Sequence, residues 1–509
     1  MIYSNCMSHQ NMLSEADRDF LRLLAEAAAT NPFSDEYSSL LIRISGCAAS
    51  VSAEDRYERI VARVSEEVQR MEAAGSVNVR HYAGDDRQLL RYALMFDMYH
   101  RFLPPLDQLI AEQTVADERS IRVPFADEVL GLLARRGFSE EEARRDFAIL
   151  YQIRRAFFFI DRGLVGRSES MKRLRRHLWN NVFTHDIRLY ERHLWSRMED
   201  FSTMLLGETG TGKGAAAAAI GRSGFIPFDE KKGAFAESFA RSFTALNLSQ
   251  FSEALIESEL FGHRKGAFTG ALEAHEGIFA RCSKYGAIFL DEIGDVGVPI
   301  QIKLLHVLQE RTFSPVGSHE KLRFRGRIIA ATNKPLDVLH RSGRFRDDFF
   351  YRLCSDVIAV PSLAQRIAES SGELEDLISL IVRRLMGEVS HETIGMVHST
   401  ITESLGRDYA WPGNVRELEQ AIRRILLTRA YQGDHRAIAP DLSHELQAGI
   451  ADGSLDADSL LSGYCALLYQ RLGIYEEVAR RTGLDRRTVK AYIRKYSALQ
   501  PKGGSPQGQ

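Results

Sequence analysis

The sequence predicts a multidomain α/β protein, in which an α/β core with a helical lid lies between a helical N-terminal region and a small all-α C-terminal unit. Three observations carry this. Apolar residues recur at helical spacing between residues 13 and 163, as in Phe20-Leu21-Leu23-Leu24 and Leu90-Tyr92-Leu94-Met95-Met98-Tyr99. From Phe201 the pattern switches to short continuous apolar strands alternating with helices (STMLL, AIFLDE, GRIIAATN), which suit a parallel sheet covered on both faces. A compact helical segment then runs from Asp456 to Tyr496. A chain of 509 residues exceeds what one core fills, so two to four domains are expected.

Composition narrows the class. Charged residues are 26% and hydrophobic ones 44%, ordinary for a soluble globular protein. The net charge is −2, so any nucleic-acid contact must come from a local basic patch. The five cysteines (Cys6, Cys47, Cys282, Cys354, Cys465) are scattered, with no CxxC pair, which indicates neither a disulfide framework nor a zinc ribbon. A reducing cytoplasm fits this usage. No apolar run approaches the roughly 18 residues that span a bilayer. No secretory signal pattern opens the chain.

In the N-terminal region, Ser14-Glu15-Ala16-Asp17 reads as a capped helix start, with residues 1–12 expected to be disordered or to precede the true start. Turn signals fall at Asn31-Pro32, Gly84-Asp85-Asp86 and Pro104-Pro105. There is no receiver-like acidic pocket, dinucleotide fingerprint or repeat. Tyr92, Met95, Phe96, Tyr99, His100 and Phe102 line either a ligand pocket or, as the simpler reading, a buried helix face.

The core begins with strand STMLL running into GETGTGKG, Gly207–Gly214. Such a loop directs backbone N–H groups at phosphate oxygens, and the following helix adds its positive end. Gly207, Gly210 and Gly212 shape the turn around Glu208, Thr209 and Thr211, and Lys213 is placed to reach the β/γ-phosphates. Gly214 stands where Ser or Thr normally ligates Mg²⁺, so the metal would rely more on Asp291 and water. Asp291 and Glu292 end the strand AIFLD, where successive side chains point to opposite sides. One carboxylate there can hold Mg²⁺ while the next orients a water. Alone a DE pair is weak evidence; after an apolar strand and a phosphate loop it indicates ATP hydrolysis. Asn333 ends the strand RIIAAT, where an amide can bond γ-phosphate and attacking water.

Between these motifs lies GAFTGA, Gly266–Ala271. Its glycines permit a tight excursion, and an exposed Phe268 beside Thr269 is costly unless it binds something. This order of motifs resembles the bacterial enhancer-binding proteins, the AAA+ activators of sigma-54 RNA polymerase, over roughly Leu164 to Leu427. The resemblance implies an ATP- and Mg²⁺-dependent ATPase, with Asp291 on the metal through water, Glu292 polarising the attacking water and Asn333 as sensor I. It implies that Asn247 restrains the catalytic glutamate until the target engages. Arg346 and Arg352, in GRFRDDFFYRL, then reach the nucleotide of a neighbouring subunit, which implies a homo-oligomer, from dimer to hexameric ring, with Arg344 a less favoured candidate. Such arginines are worth about 10³–10⁵ in rate in other phosphoryl-transfer systems. Arg416, in WPGNVREL, corresponds to sensor II on the lid. Gly266, Ala267, Phe268, Thr269, Gly270 and Ala271 would contact sigma-54 in the RNA polymerase holoenzyme.

The sequence departs from the family in three places. The family's PPLRER is PSLAQR here, with Ala364 in place of the first arginine. The chain is long between Gly221 and Thr244, and a further extension, LWNNVFTHDIRLYERHLW, precedes the ATPase strand. His177, His185 and His193 in that extension do not share one helical face and are read as structural.

Tyr475 to Arg494 reads as helix-turn-helix. Ala479 is small at the crossing, Gly483 makes the turn, Asp485 caps, and Leu484, Val489 and Tyr492 pack inward. Arg480, Arg481, Arg486, Arg487, Thr488, Lys490 and Arg494 form a basic face suited to double-stranded DNA. This end resembles the Fis-type domain of such activators. The expected organisation is a regulatory region at 1–163, an ATPase at 164–433 with its lid from about 363, a linker at 434–455, the DNA-reading unit at 456–497 and a tail at 498–509. Two other readings are a DNA-binding repressor with a vestigial ATPase, which Gly214 favours, and another AAA+ remodeller. The signal received by residues 1–163 is not written in the sequence.

Overall fold

In the computed structural model, residues 11–499 are described apart from 49, 342, 344, 388–389, 407–408, 434–441, 443–445, 447–448 and 451–452. Arg344, most of the expected linker and nearly all of the expected tail lie outside the described residues, as do residues 1–10. The chain divides into two units, Met1–Ala430 and Tyr431–Gln509.

The first third of the chain is built of helices α1 (Glu15–Ala29), α2 (Asp35–Ser45), α3 (Ala53–Ala73), α4 (Gly84–Arg101), α5 (Leu103–Ala116), α6 (Ala126–Arg135) and α7 (Glu140–Gly163). Their ends follow local chemistry. Ser14 Oγ accepts from Asp17 N to start α1, and Ser139 with Glu142 forms a reciprocal capping box on α7. Two of the expected turns are helix starts instead. Gly84-Asp85-Asp86 opens α4, and Pro104-Pro105 occupies the first turn of α5, where a missing N–H costs nothing. Leu21 and Leu24 of α1 meet Leu90, Leu94 and Met98 of α4 in one core.

Next come α8 (Glu169–Phe183) and α9 (Ile187–Leu189), the latter continuing into a π turn over Tyr190–Leu194. The sheet domain follows, in the order β1 (Thr203–Leu206), α10 (Lys213–Gly221), β2 (Phe228–Asp229), β3 (Ala234–Phe235), β4 (Phe243–Asn247), α11 (Glu253–Phe261), α12 (Ile278–Arg281), β5 (Ala287–Asp291) and α13 (Val298–Glu310). It continues through β6 (Thr312–Phe313), β7 (Leu322–Arg323), β8 (Arg327–Thr332), α14 (Leu336–Arg341), α15 (Asp347–Leu353) and β9 (Asp356–Ala359). The main sheet has the order β4-β5-β8-β1-β9, every pair parallel. Strands β5 and β8 are buried along almost their whole length, as continuous apolar runs require. The alanines of α10 leave little side chain between helix and sheet, and Ala216, Ala217 and Ala219 are buried there. Helix α16 (Leu363–Glu369) leads into the lid, which is formed by α17 (Glu373–Met386), α18 (His391–Leu405) and α19 (Asn414–Thr428).

The long stretch between Gly221 and Thr244 has a structural reason. It folds into the β2–β3 hairpin, whose Ile226, Phe228, Phe235 and Phe239 belong to the same core as the N-terminal helices. Tyr151 stacks on Phe235 with ring centroids 4.0 Å apart, and Phe147 lies 5.1 Å from Phe228. Val123 N donates to Gly233 O at 2.8 Å, and Ser120 Oγ to Phe235 O at 2.7 Å. Two further ties come from α7, where Gln152 donates to Ser223 O at 2.9 Å and Arg155 to Arg222 O at 2.7 Å.

In the second unit, α20 (Ala457–Leu472), α21 (Tyr475–Thr482) and α22 (Arg486–Leu499) pack around Leu468, Val478 and Val489. Gly483 adopts φ +69° between α21 and α22. Leu484 and Ile493 join this small core; Tyr492, expected to pack inward, does not, because it sits one position round the helix from Ile493. Among the described residues no helix is long and apolar enough to cross a membrane.

Candidate functional site

The sheet order decides which motifs meet. Strand β8 lies between β1 and β5, so the residues just beyond the carboxyl ends of these three strands are neighbours. These are the glycine loop, Asn333 and the pair Asp291–Glu292. Ligands of open α/β sheets bind at this edge. A cavity of about 520 Å³ opens there, lined by Thr209–Ala215, Asn247, Asp291, Glu292 and, from the lid, Arg384 and Arg416. Its other wall is apolar, with Leu164, Val165, Met171, Leu174, Leu377 and Ile381. One end therefore suits polyphosphate and the other a flat base.

Within the loop, Gly210 has φ +81° and Gly212 φ +104°. A Cβ on Gly210 would stand 2.2 Å from Gly413 O, so the loop and the lid touch through backbone at this point. Lys213 Nζ donates to Gly207 O at 2.8 Å and Glu208 O at 3.0 Å, so its ammonium is held inside the turn by the loop's own carbonyls. Burial pushes the Lys213 pKa down, while Glu292 and Asp291 oppose that shift. Thr211 donates to Glu208 O at 2.9 Å. Nothing lies within 4 Å of a Cβ built on Gly214, which leaves room for a side chain.

Asp291 Oδ1 accepts from Glu292 N at 3.0 Å, and Glu292 adopts φ +57°. That left-handed step, unusual for a residue with a side chain, turns Glu292 off the strand alternation expected from the sequence. Asn333 binds across the site, donating from Nδ2 to Thr209 Oγ1 at 3.0 Å and from its backbone to Glu292 Oε2 at 3.4 Å. The resemblance implied an Asn247 contact with the glutamate. The Asn247 amide instead reaches Asp291 Oδ2 at 3.5 Å, and its oxygen accepts from Ser249 N at 3.0 Å.

The two candidate arginines at α15, Arg346 at its N-cap and Arg352 within it, do not line this chain's own cavity. Arg346 forms a two-pronged pair with Asp348, at 3.0 and 2.7 Å, and Arg352 donates to Leu308 O at 3.2 and 3.1 Å. The retained arginine of PSLAQR, Arg366, is buried. It pairs with Glu373 at 2.6 Å and donates to Val165 O at 2.6 Å, tying the apolar wall to the lid.

Asn414 is a site residue that the sequence motifs did not single out. It is fully buried at φ +53° and joins three chain segments. Its Nδ2 donates to Glu208 Oε2 at 3.0 Å and Thr209 O at 3.1 Å, while its Oδ1 accepts from Leu363 N at 2.7 Å. Its side chain fastens the lid to the phosphate loop. The asparagine after Pro412-Gly413 is the only sequence signal of this, and it points equally to a cap. The apolar wall left no local signal at all, because its residues come from α8, the segment before it and α17.

GAFTGA stands on a narrow base away from the strand ends. His263 and His275 exchange two backbone hydrogen bonds of 2.9 Å, closing a hairpin between them. Gly266 N donates to Ala271 O at 2.9 Å and Ala271 N to Phe268 O at 3.0 Å. Gly266 and Gly270 adopt φ +81° and +98°. Phe268 is 41% exposed, resting edge-on against the His263 ring at 4.9 Å rather than in the core, and Thr269 is exposed.

In the second unit, Asp485 Oδ1 caps α22, accepting from Arg487 N at 2.8 Å and Thr488 N at 3.0 Å. The Thr488 hydroxyl is spent on Asp485 Oδ2 at 2.5 Å. Arg480 and Arg481 pair with Glu477, and Arg486 with Glu476 at 2.9 Å. Arg487, Lys490 and Arg494 are exposed along α22. Outside these sites, His177 bonds Asp356 at 2.9 Å, a structural tie from α8 to β9.

Residues 185–359 match the sigma-54 interaction domain and residues 372–454 the AAA+ ATPase lid domain. The hydrogenase transcriptional regulatory protein HoxA of Cupriavidus necator is 39% identical over 227 residues, 45% of this chain and 43% of the relative. The sigma54-dependent transcriptional activator SfnR of Pseudomonas putida is 39% identical over 242 residues, 47% of this chain and 60% of the relative. The DNA-binding transcriptional regulator NtrC of Azospirillum brasilense is 36% identical over 264 residues, 52% of this chain and 47% of the relative. The chain thus spans about half the length of the curated relatives it matches.

Proposed function

We propose that this chain, whose residues 185–359 match a sigma-54 interaction domain and residues 372–454 an AAA+ ATPase lid domain, is a DNA-bound activator that uses ATP hydrolysis to open sigma-54 promoter complexes. The observation that carries the reading is the convergence of the phosphate loop, Asp291–Glu292 and lid Arg416 on one cavity, with Asn333 bonded to Thr209 and Glu292 at its edge, in a chain that also holds GAFTGA exposed on a separate hairpin. In this reading the loop amides and Lys213 bind the β/γ-phosphates, and the ammonium exchanges its loop carbonyls for phosphate oxygens. Asp291 would hold Mg²⁺ through water, and the ion would supply charge neutralisation at the phosphates. Glu292 takes up the proton of the attacking water, and Asn333 orients that water and reports the γ-phosphate. Arg416 carries the γ-phosphate state to the lid. Arg346 leaves Asp348, and with Arg352 it serves the site of the next subunit in a ring.

The cycle of lid motion moves the GAFTGA hairpin, whose Phe268 and Thr269 engage sigma-54. The basic face of α22, chiefly Arg487, Lys490 and Arg494, contacts double-stranded DNA, with Arg480, Arg481, Arg486 and Thr488 beside it. The unfilled position at Gly214 supports a second reading, a DNA-binding repressor whose ATPase has lapsed.

The experiment is co-elution of the full chain with purified sigma-54 in the presence of ADP and a metal fluoride, alongside an ATPase assay. The activator reading expects a complex that needs the mimic and is lost in Thr269→Ala, whose hydrolysis persists. Glu292→Ala should bind ATP and lose turnover. Hydrolysis without a mimic-dependent complex would move the reading to another remodelled partner, and absent hydrolysis to the repressor.

A further inference from the structure

A second cavity, of about 470 Å³, lies in the N-terminal region and shares no lining residue with the nucleotide cavity. Five of the six side chains that the sequence left between pocket and core, Tyr92, Met95, Phe96, Tyr99 and His100, line it; Phe102 is buried elsewhere in the core. Most of the wall is aromatic or aliphatic, with Tyr37, Phe157 and Trp179 adding to that set. Volume and lining match those of small-molecule sites.

Its polar groups are unbalanced towards acceptors. Asp146 is 1% exposed, and both nearby arginines bind the same oxygen: Arg91 reaches Oδ1 at 2.7 Å and Arg145 at 3.4 Å. Asp146 Oδ2 is buried without a hydrogen-bond partner. Glu191, from the π turn, accepts from the Tyr92 hydroxyl at 3.2 Å and has no ion-pair partner among the described residues. Asp146 and Glu191 both line the cavity, and the charge of Asp146 bears on Glu191. A buried acceptor left unpaired costs about 1–3 kcal/mol, so a ligand bearing N–H donors would recover what the protein leaves unsatisfied. Cationic nitrogen is also favoured beside aromatic faces.

The other polar end of the cavity offers nothing comparable. His100 Nδ1 donates to Phe96 O at 2.7 Å, which leaves Nε2 to accept the Tyr57 hydroxyl at 2.5 Å. Arg154 is engaged by Asp107 at 2.5 and 2.6 Å.

We propose that this cavity binds a small organic ammonium with an aromatic body, its nitrogen held by Glu191 and Asp146 and its ring by the aromatic wall. The site reaches the ATPase through α8. That helix contributes Trp179 to the cavity and, two residues on, Asn181, which donates to Thr203 Oγ1 at 2.9 Å and to Asp356 Oδ2 at 2.5 Å at the starts of β1 and β9.

The test is calorimetric titration of the full chain with three matched probes: 2-phenylethylamine, 2-phenylethanol and 3-phenylpropionate. The amine is expected to bind about tenfold or more tightly than the alcohol, with the carboxylate weakest. Glu191→Gln should erase the preference for the amine while leaving alcohol binding in place; Asp146→Asn makes the same test should Glu191→Gln not fold. Met95→Trp, which fills the cavity, should remove binding of all three while ATP binding persists. No binding of the amine at millimolar concentration, equal affinity for amine and alcohol, or an amine preference that survives Glu191→Gln would overturn the proposal.

Discussion

Replacing Asn414 tests how the lid is held over the phosphate loop. In Asn414→Gly the backbone keeps its positive φ without strain and only the three side-chain bonds are lost. The Leu363 amide is then buried without an acceptor, a loss of about 1–3 kcal/mol, and the two part-buried bonds to Glu208 and Thr209 add about 0.5–1.5 kcal/mol each. Together that is about 2–6 kcal/mol of lid docking, with the lower figure equal to about 30-fold in the docking equilibrium. Asn414→Ala should lose about 1–2 kcal/mol more, because alanine tolerates the left-handed conformation poorly. Asn414→Asp keeps an acceptor for Leu363 but faces Glu208 and the Thr209 carbonyl with a carboxylate, so it should weaken docking as much as the glycine does. Hydrogen exchange of the peptide containing Leu363, with and without ATP, reads the docking, and a fluorescent ATP analogue reads its effect on nucleotide affinity. If Asn414→Gly exchanged at Leu363 within threefold of the parent and bound ATP equally well, the asparagine would not be the fastener that its bonds suggest.

Three further outcomes follow from the geometry. Gly210→Ala places a methyl 2.2 Å from Gly413 O at φ +81°, so it should abolish ATP binding with the helical content unchanged by circular dichroism; near-normal binding would mean the loop and lid separate freely. Gly214→Ser meets no atom within 4 Å and replaces a helical glycine, so it should raise stability by about 0.5 kcal/mol. It should also lower the Mg²⁺ concentration needed for half-maximal ATP binding, and an unchanged Mg²⁺ titration would remove the metal from that corner. Burial pushes the His100 pKa down to about 4, below the ordinary value of about 6.5. The unfolded chain therefore takes up the proton first as pH falls, and stability is lost between about pH 6.5 and 4, by up to about 3 kcal/mol. His100→Gln should flatten that part of a urea-midpoint profile, and an identical acid slope in the variant would contradict the burial of a neutral imidazole.

The motifs that meet at the candidate site were legible because each is local in sequence and the sheet does the gathering. GETGTGKG, Asp291–Glu292 and Asn333 all follow apolar strands, and parallel strands deliver their carboxyl ends to one edge. Side-chain direction was less legible. The alternation argument placed Glu292 by strand geometry, but its residue lies past the strand end at φ +57°. Thr488 reads as part of the face suited to DNA, yet its hydroxyl is used by the Asp485 cap three residues earlier. The apolar wall at Leu164, Val165 and Ile381 and the carboxylates Asp146 and Glu191 are assembled from segments far apart in the chain. No periodicity announces such a meeting. The stretch from Gly221 to Thr244 read as divergence because its partner lies some 80 residues upstream, at Phe147 and Tyr151.

That hairpin has a bearing on how such a protein can be rearranged. The N-terminal helices and the sheet domain do not meet across a surface that a cut between them would leave intact, since Phe228, Phe235 and Phe239 of the sheet domain sit inside the helices' own core. A graft of residues 1–163 onto a relative's sheet domain would leave Tyr151 and Phe147 facing water unless the hairpin travelled with them. The heritable module is therefore discontinuous, one piece ahead of the sheet domain and one lodged within it. Recombination that respects only the linear boundary would yield two halves, each with an open apolar face.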